Sequence, residues 1–194
     1  DITSLQKKSA KELVNGGFIY LANRNLKIAQ LHFTTAIAKD PRMIDAFIGL
    51  GRVEMLKGNY NNALLRFSKA RELQPDYVPA MVGEAQALRS EGKLNAAIKT
   101  TNEAMMVAPE DISVLKELAM IYDLMGKENL SGPLYLEIVE MSPDLAASHN
   151  NLGLNSMVRG EYPEAILSFL QALELDRKDS RIRNNLASAY LLNG

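Results

Sequence analysis

The chain has 194 residues, 47% of them hydrophobic and 23% charged, and a net charge of −1 at pH 7. This composition suits a folded domain and argues against disorder and against the basic footprint of a nucleic-acid binder. No run approaches the roughly 18 apolar residues of a membrane span, and the lack of Cys removes disulfides and thiol chemistry while selecting no compartment.

Residues 1–9 read as a short helical extension. From residue 10 the chain repeats with a period of 34, without insertion, in units 10–43, 44–77, 78–111, 112–145 and 146–179, with a half unit at 180–194. Gly160, Tyr162, Ala165, Phe169 and Ala172 return at the same spacing as Gly58, Tyr60, Ala63, Phe67 and Ala70. The shorter sets Ala29, Phe33, Ala36 and Pro41, then Gly92, Ala97, Ala104 and Pro109, then Gly126, Tyr135 and Pro143 fall in the same register.

Each unit reads as two helices. In the first half of 44–77, Phe47, Leu50 and Val53 recur three apart, the period of one helix face. Gly58 ends that helix, where a left-handed residue is favoured. Ala63, Leu64, Phe67 and Ala70 carry the second helix, and Pro75 closes it. Gly51 and Ala63 sit where two backbones must come close; Phe67 fills the gap toward the next unit and Ala70 makes room for it. The fourth unit departs, with Ser131, Gly132 and Pro133 in its second helix. An interior proline removes a hydrogen bond and costs about 3 kcal/mol. Ser131 as an N-cap would avoid this, so a short helix beginning near 132 is expected.

This spacing of Leu, Gly or Ala, aromatic and Pro residues resembles the tetratricopeptide repeat, over about residues 10 to 194. Stacked units of that kind bury a continuous core between neighbours. The resemblance implies an all-α, right-handed superhelical solenoid of antiparallel helix pairs, with the first helices on the concave side. It also implies a partner-binding groove. In the N-terminal half this groove takes Val14, Phe18, Ile48, Arg52, Met55, Val82, Gln86 and Arg89. In the C-terminal half it takes Lys116, Met120, Asn150, Asn151, Leu154, Arg181, Asn184 and Asn185. Asn amides both donate and accept toward a peptide backbone, and Met and Phe suit adaptable apolar contact. Protein or peptide segments are the implied partners. The two-carboxylate clamp found in some members fits poorly: the best frame, Lys116, Asn151 and Arg181, meets Met120 where Asn is wanted and Asn185 where Arg is wanted. A weaker carboxylate contact at Lys116 and Arg181 is left open.

Little else suggests chemistry. His149 holds a packing position of its unit, and His32, beside Phe33, is expected at the surface. The glycines at 15–17 and 49–51 read as close-packing sites, not phosphate loops. Glu72, Glu103 and Glu174 read as solvated faces. No enzyme activity, cofactor, metal, nucleic acid or small-molecule substrate is expected.

The last 50 residues, containing "RIRNNLA" at 181–187 followed by Ala189, Tyr190 and Gly194, resemble the tetratricopeptide lipoproteins of bacterial Tad (Flp pilus) assembly. That resemblance implies a periplasmic scaffold holding secretin or pilus components, anchored to the outer membrane by a lipid on a segment preceding Asp1. The chain is then a piece of a longer protein. The competing expectation is a cytoplasmic adaptor, of the co-chaperone kind, binding peptide tails. The helix over 180–193 lacks a pairing partner and offers a route to self-association.

Overall fold

The structure, a computed structural model, describes residues 5–194. Eleven helices of 13 or 14 residues follow one another along it: α1 (Ala10–Ala22), α2 (Leu26–Lys39), α3 (Ile44–Leu56), α4 (Tyr60–Leu73), α5 (Val78–Ser90), α6 (Leu94–Val107), α7 (Ile112–Leu124), α8 (Glu128–Met141), α9 (Ala146–Val158), α10 (Tyr162–Leu175) and α11 (Ser180–Asn193). They pair in the expected units of 34. Residues 1–194 were expected to form one solenoid; the helices cluster into two compact units, Asp1–Ala108 and Pro109–Gly194. The expected extension over 1–9 falls partly outside the described residues. Of the rest, Leu5 and Gln6 are helical, and Leu5 is buried with the core of the first unit.

Each first helix turns into its partner through a left-handed residue. Gly58, Gly92, Gly126 and Gly160 take φ between +66° and +78° there. Arg24 does the same job in the first pair at φ +59°. In every case the next amide reaches back to close the helix end, as Asn59 N does to Glu54 O and Asn25 N to Tyr20 O, both at 2.9 Å. Some starts are capped by a side-chain oxygen. Ser9 and Glu12 form a reciprocal capping box on α1, and Asp111 accepts from Ser113 N and Val114 N on α7.

In the first unit the first helices lie side by side, α1 on α3 and α3 on α5, with α2 and α4 each packed against both of their sequence neighbours and α6 against α5. Phenylalanine and glycine build this stack. Phe33 inserts between Gly17 and Gly49, and Phe67 between Gly51 and Gly83; a Cβ on any of these glycines would enter the ring. Phe67 therefore reaches the next unit as expected, and the glycines at 17 and 49 are close-packing sites. In the second unit Phe169 lies on Gly153 in the same way and packs with Ala165, Ile166 and Ala189.

Two expectations are corrected. His32 is not a surface residue but is 4% exposed. Its Nδ1 donates to Ile28 O at 3.0 Å, its ring lies 4.9 Å from that of Tyr20, and Gly16 leaves it space. The helix carrying Pro133 is not short: α8 is regular from Glu128 to Met141. Leu130 N and Ser131 N both donate to Lys127 O, at 2.8 and 3.2 Å, which starts the helix a full turn early. Ser131 is buried in a polar cluster instead of capping the helix. Its hydroxyl donates to Asp123, whose other oxygen accepts from Tyr135 Oη at 2.6 Å. Asn155 Nδ2 donates to Ser131 Oγ at 2.7 Å. This cluster ties α7, α8 and α9 together and offsets the amide bond that Pro133 cannot make.

Candidate partner-binding face

On α1, α3 and α5 the expected groove residues divide by depth. Val14, Ile48 and Val82 are buried in the core and offer almost no surface. They recur every 34 residues, yet apolar type alone does not set them apart from Phe18 and Met55, which keep surface. Phe18, Met55, Gln86 and Arg89 are half-buried, and Arg52 is exposed. Phe18 is held edge-on by Phe33, with ring centroids 5.0 Å apart. The Arg52 guanidinium lies over the other side of the site, 5.7 Å from the Phe18 centroid, within reach of a cation–π contact. Nearby, Tyr77 Oη donates to Asp45 Oδ1 at 2.6 Å. Burial, then the bond to Asp45 and its charge, push Tyr77 up to about 12, against the opposing pull of Arg52.

On the second unit Lys116 and Asn184 are exposed, and Met120, Asn150, Asn151 and Leu154 are half-buried. The polar residues expected to meet a peptide are partly engaged already. Asn185 Nδ2 donates to Asn150 Oδ1 at 2.9 Å. Arg181 folds back on Asp179 with its Nη2 at 2.7 Å and its Nε at 3.2 Å. Asp179 also caps α11 through Arg181 N, and these bonds hold its carboxyl down to about 2. The carboxylate contact left open at Lys116 and Arg181 thus competes with a local ion pair at Arg181.

The second helices carry their own networks. Arg71 bridges Glu84 and Glu103, the latter at 2.9 Å, and Ser68 Oγ donates to Glu84 at 2.9 Å. Burial disfavours the charged Arg71, but the two carboxylates outweigh it and raise its pKa. Glu103 is therefore an ion-pair partner between helices rather than a bare solvated face. His149 is buried, with Nε2 2.8 Å from Pro143 O. Among the described residues no group of three His, Cys, Asp or Glu side chains is placed to hold a metal ion, and no helix is long and apolar enough to cross a membrane.

The same architecture recurs among known proteins. Tetratricopeptide-repeat sequence profiles match residues 19–78, 54–121 and 157–194. The chain is a tetratricopeptide-repeat protein. A thermophilic member from Thermus thermophilus, TTC0263, superposes with a TM-score of 0.85 at 21% identity, over 94% of this chain and 100% of that one. The Cut9–Hcn1 hetero-tetramer of the APC/C gives 0.86 at 19% identity, over 94% of this chain and 36% of that one. The pilF protein of Pseudomonas aeruginosa gives 0.77 at 17% identity, over 94% and 89%. These likenesses establish the fold. No curated protein matches the sequence. Tetratricopeptide repeats are protein-interaction scaffolds, and the pairs Arg52–Phe18 and Tyr77–Asp45 are features of this member that residue spacing did not reveal. Phe18 and Arg52 come from successive units, and Tyr77, at the far end of the unit that holds Asp45, stands in the connection between α4 and α5.

Proposed function

We propose that this protein holds segments of partner proteins against the outer side chains of its first helices. The observation that carries this reading is the division of those helices: Val14, Ile48 and Val82 complete the core, while Phe18, Arg52, Met55 and Gln86 keep surface that no helix of the first unit covers. The finer reading is a periplasmic scaffold for pilus or secretion-system assembly, tethered to the outer membrane by a lipid. Its support is the phrase at 181–187 with Ala189, Tyr190 and Gly194. A photo-crosslinking amino acid at Met55 or Gln86, compared with one at Leu65 or Lys99 on the second helices, tests both levels in the native organism. Crosslinks from 55 and 86 alone, to secretin or pilus components, are expected. Crosslinks from the second helices alone overturn the face assignment; chaperones as the captured partners overturn the pilus reading and favour a cytoplasmic adaptor.

A further inference from the structure

We propose that the first unit binds acidic peptide segments, with a Glu or Asp side chain of the partner seated on Arg52 above the Phe18 ring. This rests on the partner-binding reading of the first helices and adds the chemistry of the ligand.

Arg52 is exposed, and among the described residues it has no ion-pair partner. The other arginines at ion-pairing positions behave differently. Arg71 is clasped by Glu84 and Glu103, Arg159 by Glu161 and Arg181 by Asp179. What holds Arg52 is the Phe18 ring at 5.7 Å, itself fixed by Phe33. A cation–π contact with an aromatic face limits the side chain's freedom and leaves the N–H donors of the guanidinium unused. Those donors form a fork that matches a carboxylate. A preorganised, unpaired guanidinium is therefore a ready receptor for one.

The acid on this face of α3, Asp45, already accepts from Tyr77. Asp45 lies seven residues before Arg52 on one helix, about 10 Å along the axis. It repels a second carboxylate at its own end and leaves the Phe18 end to the ligand. Met55, half-buried one turn beyond Arg52, supplies an adaptable apolar neighbour. The fit is to a segment carrying acids beside aliphatic residues.

The test uses the whole chain and three fluorescein-labelled twelve-residue peptides, read by anisotropy. The first is built of Glu and Leu with an amidated C-terminus. The second replaces every Glu by Gln. The third is the Gln peptide with a free C-terminal carboxylate. The acidic peptide is expected to bind about tenfold more tightly than either Gln peptide, with binding that weakens as salt rises. Arg52→Gln, at an exposed position that leaves the helix intact by circular dichroism, is expected to abolish that preference, so that the acidic and Gln peptides bind alike. Phe18→Leu is expected to reduce it partway, because the guanidinium loses its support. Equal binding of the acidic and Gln peptides, or a preference that survives Arg52→Gln, overturns the inference while leaving the face as a peptide site. Arg52-dependent binding of the free-carboxylate peptide alone overturns it in favour of chain ends. Binding of none of the three overturns both the inference and the reading beneath it for this unit.

Discussion

Arg24 stands where four other units place glycine. At φ +59° an L side chain crowds its own backbone, a cost of roughly 1–2 kcal/mol for a residue without glycine's freedom. Arg24→Gly is therefore expected to stabilise the protein by about 1 kcal/mol, visible as a higher denaturation midpoint at unchanged slope. Gly92→Ala, which imposes the same strain at φ +75°, should lose about as much. Tyr77 gives a second prediction at this scale. Its folded pKa is raised to about 12, above the ordinary value near 10. A raised pKa means that the contribution to stability is complete below about pH 10 and is lost as pH climbs toward 12. The difference between the ultraviolet titrations of the parent protein and Tyr77→Phe isolates this residue and should show it ionising near 12. A difference step near 10 instead means that the bond to Asp45 does not persist in solution.

Between elements, the decisive contact is a ring in a slot. Phe67 is 1% exposed and touches Gly51 of its own unit and Gly83 of the next. Phe67→Ala removes the ring from both interfaces and is expected to cost about 3–5 kcal/mol. Gly83→Ala overfills the slot and should cost about 1–3 kcal/mol. Because both changes act on one space, Phe67→Leu combined with Gly83→Ala should cost less than their sum, a coupling that chemical denaturation of the four-member cycle measures directly. This part of the fold was legible in the sequence, since glycine and phenylalanine recur at fixed spacing. Pro133 was not, because the rule against interior proline treats a helix in isolation. Here Asp123, Ser131, Tyr135 and Asn155 clamp the helix from three elements, and nothing in residue spacing joins them. His32 misled for a related reason: its burial depends on Gly16, across the helix pair. Pro133 is exposed, so Pro133→Ala loses little packing and regains a backbone bond. It should stabilise the second unit by about 1–2 kcal/mol, and a lower melting temperature would show that the ring is instead needed to shape the cluster.

At the scale of the whole molecule, stability and partner binding draw on the same set of helices. The candidate face was legible as a list of positions, but residue type could not say which of them were spent. Val14, Ile48 and Val82 go to the core, and Asn150 and Arg181 find neighbours of their own. Arg52, one cation among many in the sequence, is set apart only once Phe18 lies beneath it. The same accounting marks α11. In a stack of this kind each helix is held chiefly by its nearest neighbours. On α9, His149 and Gly153 are buried, and Phe169 of α10 covers Gly153. Their counterparts 34 residues on, Arg183 and Ala187, are exposed, and α11 buries only Ile182 and Ala189. Tyr190, Leu191 and Leu192 stand 51%, 84% and 54% exposed. Few buried apolar contacts mean a low cost of local opening, so hydrogen exchange followed by mass spectrometry should find α11 the least protected helix of the second unit and α9 and α10 the most. Self-association through 180–194 requires that protection to rise with protein concentration, because a second chain would cover the three side chains. Protection of α11 that stays flat across a hundredfold change in concentration rules that route out.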